Sequence, residues 1–481
     1  MYYIGVDLGT SSVKLLLLGD NGICNIVIKE YPVYYPENGW SEQNPEDWWQ
    51  KTIEGIKEII KGIDTKKVKG ISFGGQMHGL VILDKNDNVI RPAILWNDTR
   101  TQVETDYLNN ITGKKKLVEL TGNIAFAGFT APKILWLKNN EPHNFEKIDK
   151  IMLPKDYIVY KLTGNHCTDV SDASGMLLLD VKNRCWSKEM LEITGVSEKQ
   201  LPKLYESYEV VGKIKDDIAY ELGFENVRVI AGAGDNAASA IGTGTVDNGD
   251  CNISLGTSGT IFVASDKYEA DYENAIHNFC HSTGKYHYMA CILSAASCNK
   301  WWIEDILESD DYTSIYENYD KVGENDIFFL PYMMGERSPL NDADIRGMFY
   351  GMSMSTTKQD MAVAVLEGVA FALRQNIDII RSMGINIKES KICGGGTKNK
   401  LWLKIIANVL NIELAVPKNQ EGASFGAALL AVRGCDEKKY EKIIADLKET
   451  ERILPDINMV DKYNEKYKKF RKFYPAIKAI I

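Results

Sequence analysis

Asp-Leu-Gly-Thr-Ser at 7–11 and Ser-Leu-Gly-Thr-Ser at 254–258 differ at one position of five. Each copy lies between two apolar, partly β-branched runs, Tyr2–Val6 and Val13–Leu18 in the first and Cys251–Leu255 and Thr260–Ala264 in the second. Apolar runs broken by a short Gly/Ser/Thr cluster read as β-hairpins, so the repeat is structural as well as textual. A chain of 481 residues is too long for one core, because cores stop growing near about 250–300 residues. Two large domains opening on the same hairpin satisfy both constraints. The boundary is expected just before residue 250, where Gly242-Thr243-Gly244-Thr245 and Asp247-Asn248-Gly249 read as a flexible link.

Strand and helix signals alternate elsewhere, which predicts an α/β fold. Asp20-Asn21-Gly22 is a turn before Ile26–Ile28. Asn44 as N-cap, Pro45 at the first helical position and Asp47 near the positive end of the dipole open a helix. Its apolar face is predicted to be Trp49, Ile53, Ile56 and Ile60. Val227–Ala231 reads as a strand leading through Gly232-Ala233-Gly234 into a small-residue helix, Asn236–Ile241. Thr357 with Asp360 forms a capping box for a long apolar helix, Met361–Met383. A strand ends at Ile392-Cys393, Gly394-Gly395-Gly396 turns, and Leu401–Leu410 is helical. Tyr463, Tyr467, Phe470 and Tyr474 fall at helical spacing and predict a docking face.

Composition excludes several function classes. The formal charge of −10 repels nucleic acid and anionic lipid, so neither is an expected partner. The basic runs at Lys114–Lys116 and at Lys466, Lys468, Lys469, Arg471 and Lys472 read as solvated faces. Nine scattered cysteines without a Cys-x-x-Cys pair imply neither a disulfide framework nor a zinc site. The strand-like Tyr2–Val6 leaves no room for a signal peptide, and no apolar run approaches the ~20 residues needed to span a bilayer. A cytoplasmic, reducing compartment is expected.

Phosphate chemistry follows from what the motifs leave. The chain has no Gly-x-x-x-x-Gly-Lys-Ser/Thr loop and no His-Arg-Asp or Asp-Phe-Gly signature. The two Gly-Thr-Ser turns can aim backbone N–H groups and hydroxyls into an anion-binding concavity. A pair of them predicts a clamp on one phosphate ligand. Asp7, directly before the first turn, would repel phosphate unless Mg²⁺ intervened, since Mg²⁺ takes one or two carboxylates plus phosphate oxygens. Gly394–Gly396 offers a backbone face for an adenine or ribose, and Asn399 could hydrogen-bond the nucleotide. Gly232-Ala233-Gly234-Asp235 loosely matches a dinucleotide fingerprint. Asp235 would then occupy the helix start where pyrophosphate sits, so that reading is rejected. The helix dipole is instead expected to hold Asp235 ionised as an acceptor for a substrate hydroxyl proton.

The segments Gly74-Gly75-Gln76-Met77-His78-Gly79, Ile94-Leu95-Trp96-Asn97-Asp98, Gly128-Phe129-Thr130-Ala131-Pro132-Lys133 and Leu153-Pro154-Lys155-Asp156-Tyr157 resemble the FGGY carbohydrate kinases. Gly234-Asp235-Asn236-Ala237-Ala238, Leu293-Ser294-Ala295-Ala296-Ser297 and Gly335-Glu336-Arg337-Ser338 continue the likeness in order, and Gln-Met-His-Gly points to the xylulose-kinase branch. The resemblance implies two ribonuclease-H-like, actin-like ATPase domains around an interdomain cleft. Residues 1–245 would bind sugar, and 246–481 would bind ATP and carry a helical tail. It implies Asp235 as catalytic base, Met77, His78 and Asn236 as sugar contacts, and Asp7 as the acid associated with Mg²⁺. Thr10, Ser11, Gly256, Thr257, Gly395 and Asn399 would contact the nucleotide. Ser424, where relatives often carry Ala or Pro, is the one departure noted, and its small hydroxyl is expected to be neutral. The implied reaction is ATP-dependent phosphorylation of D-xylulose to D-xylulose 5-phosphate, feeding xylose carbon into the pentose phosphate pathway. Ribulose, gluconate or glycerol as acceptor, or a non-catalytic actin- or chaperone-like ATPase, stay open, as does a homodimer.

Overall fold

The two Gly-Thr-Ser hairpins become the centres of two sheets. In the computed structural model, which describes residues 1–273, 275–418, 421–447 and 450–480, Tyr2–Leu8 (β1) turns back into Ser12–Gly19 (β2) and then Gly22–Glu30 (β3), all antiparallel. Val68–Gly75 (β4) lies parallel on the other side of β1. Val210–Lys213 (β5) and Arg228–Ile230 (β6) complete the order β5-β6-β4-β1-β2-β3.

The second half repeats this pairing. Its strands are Cys251–Leu255 (β7), Gly259–Ser265 (β8), His277–Cys280 (β9), Tyr286–Ile292 (β10), Glu389–Cys393 (β11), Glu413–Pro417 (β12) and Thr450–Ile453 (β13). They stand in the order β9-β10-β8-β7-β11-β12-β13. As β1 does, β7 pairs antiparallel with its hairpin partner and parallel with the strand on its other side. The halves differ at one edge, where β5 precedes its antiparallel neighbour in the chain and β13 follows its own.

Alternation in β1 explains its two-sided burial. Ile4, Val6 and Leu8 face a core shared with the helix Pro45–Ile59 (α1), while Tyr3 faces a second cluster. Asn44 caps α1 as expected, its Oδ1 accepting from the Glu46 amide at 3.1 Å. The buried stripe is Trp48, Thr52, Gly55, Ile56 and Ile59, with Trp49 and Ile53 half-buried at its edge. Gly55 causes this offset, because a Cβ there would stand 2.3 Å from a Leu15 methyl. The helix comes closest to the sheet along its smallest residue.

The helix Asp235–Thr243 (α2) follows β6. The segment after it, read as a flexible link, is tied down. Thr245 is buried with its amide bonded to Ala240 O at 2.8 Å, and the Val246 and Asp247 amides both donate to Asp250 Oδ2. The glycines there reflect tight turns, not freedom. The capping box at Thr357 opens the helix Lys358–Ser382 (α3), and Lys400–Leu410 (α4) follows β11.

Gly422–Arg433 (α5) follows β12, in the place that α2 holds after β6, yet it packs on the first sheet. A Cβ at Gly5 of β1 would lie 2.0 Å from the Ser424 carbonyl oxygen, and one at Gly426 would lie 1.7 Å from that of Ala238. Backbone therefore rests on backbone, and Ala237, Ala238, Ala423 and Ala428 fill the surrounding cluster.

On Ile457–Phe470 (α6), Tyr463, Tyr467 and Phe470 are buried against Phe371 of α3, which makes the expected docking face. Lys466 is not solvated as the sequence suggested. It is buried, paired with Glu367 and donating to Asn325 Oδ1 at 2.9 Å. All nine cysteines are free thiols, and among the described residues no helix is long and apolar enough to cross a membrane.

The contact at Gly426 gives a direct test. Gly426→Ala raises intrinsic helix propensity by up to ~1 kcal/mol, but its methyl collides with backbone that has no rotamer to yield. Overpacking of this kind costs about 1–3 kcal/mol. The thermal midpoint is expected to fall by about 3–10 °C, as measured by calorimetry.

Candidate active site

Both hairpin turns spend their carbonyls on the protein and leave their amides free. In the first, Gly9 O accepts from the Tyr31 hydroxyl, Thr10 O from Gln43 Nε2 at 2.7 Å and Ser11 O from the Tyr31 amide at 3.2 Å. In the second, Gly256 O accepts from Ala296 N at 2.8 Å, while Thr257 O accepts from Ala295 N at 2.9 Å and Ser297 Oγ at 2.8 Å. The amides of Thr10, Ser11, Thr257 and Ser258 have no acceptor among the described residues. Successive amides oriented in this way form an anion-binding nest. The turns are not identical: Gly9 N closes on Ser12 O, whereas Gly256 N closes one residue earlier, on Ser258 O.

Two cavities meet at the second turn. One, of about 280 Å³, is lined by Met77, His78, Asp235 and Asn236 from the first half and by Ser254, Gly256 and Arg337 from the second. The other, of about 680 Å³, is lined by Gly256, Thr257, Lys300, Gly395 and Asn399. Gly256 belongs to both walls. Thr10 and Ser11 line neither cavity, but the Thr10 hydroxyl accepts from Trp96 Nε1 at 3.0 Å, and the Trp96 indole lines the smaller one.

Asp235 opens α2 directly after Gly234 and packs beside Met77, whose Sδ would stand 2.9 Å from a Cβ at Gly234. Its Oδ1 accepts from the Asn236 amide at 2.7 Å and from Asn236 Nδ2 at 2.8 Å. Burial outweighs these bonds and pushes the carboxyl up to about 6. The helix dipole therefore does not set its charge, as the sequence had suggested, although at pH 7 the group is still mostly ionised.

Asp7 is the last residue but one of β1, beside this acid. Burial first, then the Asp235 charge, push it up to about 7, opposed by Lys14. Lys14 is itself paired with Glu421, and the Asp7 carboxylate receives no hydrogen bond from the described residues. Among those residues no group of three or more His, Cys, Asp or Glu is placed to hold a metal ion. Mg²⁺ needs only one or two carboxylates besides water and phosphate oxygens, so a bare Asp7 near a phosphate nest fits it.

His78 sits in a loop with φ of +69°. Its Nδ1 donates to Gly175 O at 2.8 Å, its ring stacks on Phe129 at 4.6 Å, and burial lowers its pKa to about 3. The ring is neutral with its proton on Nδ1, so Nε2 is an acceptor. Lys133, fully buried, holds the same loop by donating to His78 O at 2.9 Å and Gly128 O at 2.7 Å. In the larger cavity, Asn399 caps α4 through Oδ1, which accepts from Trp402 N at 3.1 Å, while its buried Nδ2 has no partner. Of the three glycines, Gly394 has φ of +95° and lies against the Leu255 backbone, and Gly396 lies against the Leu255 side chain. Only Gly395 faces open space.

Sequence reasoning gave no individual role to Trp96, Phe126, Phe129, Lys133 or Arg337. All but Phe126 lie in segments that carried the family likeness, and nothing in their spacing places them around one cavity.

The FGGY carbohydrate kinase N-terminal domain matches residues 2–242, and the C-terminal domain of the same family matches residues 251–435. The chain is 39% identical over 443 residues to the xylulose kinase of Staphylococcus xylosus, spanning 90% of this chain and 91% of that one. A crystal structure of a xyloylose kinase from Brucella ovis superposes with a TM-score of 0.95 at 40% identity, covering 100% of both chains. That of a gluconate kinase from Lactobacillus acidophilus gives 0.93 at 26% identity, covering 99% of this chain and 98% of that one.

The glycine geometry separates folding from binding in the larger cavity. Gly395→Val adds its side chain to open space, so the thermal midpoint should stay unchanged. ATP binding should weaken at least tenfold, as measured by calorimetric titration.

Proposed function

Because the chain belongs to the FGGY family of carbohydrate kinases, we propose that it transfers the γ-phosphoryl group of ATP to the primary hydroxyl of D-xylulose, giving D-xylulose 5-phosphate, with Asp235 as general base. One observation carries the site assignment: the cavity holding Asp235 and the cavity holding Gly395 and Asn399 share Gly256, beside free turn amides. A nucleotide in the larger cavity thus ends its phosphates where an acceptor hydroxyl would meet Asp235. Relatives at 33–39% identity carry the name xylulose kinase, which supports that acceptor.

The mechanism uses the chain's own groups. Phosphoryl transfer depends on positioning and charge stabilisation more than on covalent chemistry. The amides of the two turns hold phosphate oxygens, and the Asn399 Nδ2 donor meets the nucleoside. Met77, His78 Nε2 and Asn236 orient the sugar, and Asp235 accepts the proton of the attacking hydroxyl. Asp7 would hold Mg²⁺, which supplies positive charge to the phosphate oxygens when bound. Residues 1–245 carry the sugar-binding role and 246–481 the ATP-binding role, except that α5 belongs by packing to the first sheet.

A coupled ADP assay over pentuloses, hexuloses and polyols tests the acceptor, and D-xylulose should give the highest kcat/KM. A higher value for gluconate or a polyol would sink that choice. Asp235→Ala should lower kcat by about 10²–10⁴ while ATP binding holds. A base raised to about 6 is neutralised as pH falls through that value. The kcat/KM for sugar should therefore drop about tenfold per pH unit below about 6. Asp7→Asn should raise the Mg²⁺ concentration needed for half-maximal rate, read from a Mg²⁺ titration at fixed ATP.

A further inference from the structure

Arg337 enters the smaller cavity from the second half of the chain, opposite a wall built by the first. Its backbone is fixed. The buried Glu336 accepts from the Arg337 amide at 2.8 Å and from the Leu293 amide at 2.9 Å through one carboxylate oxygen. A bridge between Glu336 and Asp342 pins the segment again. Its guanidinium, by contrast, makes no ion pair or hydrogen bond among the described residues, and only lies over the Phe126 ring at 5.4 Å.

Its side of the cavity can be placed. The Phe126 ring under the guanidinium packs on His277 at 4.9 Å and on Phe129 at 5.3 Å, and Phe129 stacks on His78 at 4.6 Å. Ring contacts thus link Arg337 to His78 along one wall. The same cavity carries the Asp235 carboxylate, which accepts, and a guanidinium that only donates. A ligand lying along it needs a donor at Asp235 and acceptors at Arg337.

We propose that Arg337 is the specificity-determining residue for the carbonyl end of a ketose, its fork gripping the C2 carbonyl and the neighbouring C1 oxygen while the far hydroxyl rests on Asp235. This rests on the sugar-kinase reading above and deepens it. A carbonyl oxygen only accepts, which matches a donor that cannot accept. A polyol hydroxyl at the same carbon also accepts, but it carries a donor of its own that the guanidinium cannot receive. Because Arg337 belongs to the second half and His78 and Asp235 to the first, the sugar bridges the halves and couples its binding to their relative position.

The test compares D-xylulose with D-arabitol, the pentitol bearing a hydroxyl where the ketose has its carbonyl. Arg337→Ala should raise KM for D-xylulose by about 10- to 100-fold, the loss of a charge-assisted hydrogen bond. The kcat/KM for D-arabitol should stay within about threefold, and ATP affinity and thermal midpoint should hold. Arg337→Lys, which keeps the charge and loses the fork, should recover only part of the D-xylulose affinity. An unchanged KM for D-xylulose, equal losses for both acceptors, or a loss confined to ATP would each overturn the proposal. Failure of the parent reading looks different, because the unmodified enzyme would then not turn over D-xylulose at all.

Discussion

Everything at the site hangs on the contact between α2 and α5. The two helices hold equivalent places, α2 after β6 and α5 after β12, yet α5 packs on the first sheet. Glycine at 5 and 426 lets Ser424 and Ala238 carbonyls sit where side chains would otherwise stand. That close approach sets the direction of α2, hence the position of Asp235 at its first residue. It also brings the segment after β12 against β1, which carries Asp7. The spacing of both acids from the second turn is thus decided by backbone contact, with little room for adjustment.

A second constraint lies beneath. Lys155 is fully buried with Asp156 Oδ1 at 2.7 Å, Asp169 Oδ1 at 2.8 Å and Asp172 Oδ2 at 3.6 Å. Asp169 Oδ2 accepts from Ser171 Oγ, which in turn accepts from the Gly234 amide at 3.2 Å. One cation faces three buried carboxylates, and burial pushes the Asp172 carboxyl well above the usual carboxylate range. This network reaches the residue before Asp235. Gly234 is held by the Ser171 hydroxyl and the Asp235 carboxylate by Asn236, with Met77 packed against Gly234.

The sequence carried much of this, for reasons that can be named. The hairpin repeat and the capping residues at Asn44 and Thr357 are local signals, and local signals survive into the structure. On α1 the predicted Ile56 and Ile60 are buried, while Trp48 and Thr52 take the places expected of Trp49 and Ile53, on the side where Gly55 meets Leu15. The glycines at 242–249 suggested freedom where they serve tight turns, and Lys466 read as solvated because Glu367 is far away in sequence. The charge of Asp235 was judged from its helix, whereas burial by the assembled cavity sets it. Arg337 stood in a quoted segment without a role, since only the fold brings it over Phe126 in the cavity that His78 lines.

The halves share topology but not chemistry, and that asymmetry is where function separates. Position 7 is Asp and its counterpart 254 is Ser, so one turn is flanked by an acid suited to a cation and the other opens on both cavities without repelling phosphate. The second turn closes one residue earlier and exposes Thr257 at the joint between the cavities. A gluconate kinase superposes with a TM-score of 0.93, so the backbone that places phosphate against hydroxyl does not choose the acceptor. The choice falls to a few side chains of the cavity that holds Asp235. Those side chains are free to vary because nothing in the α2–α5 contact or the Lys155 network depends on them.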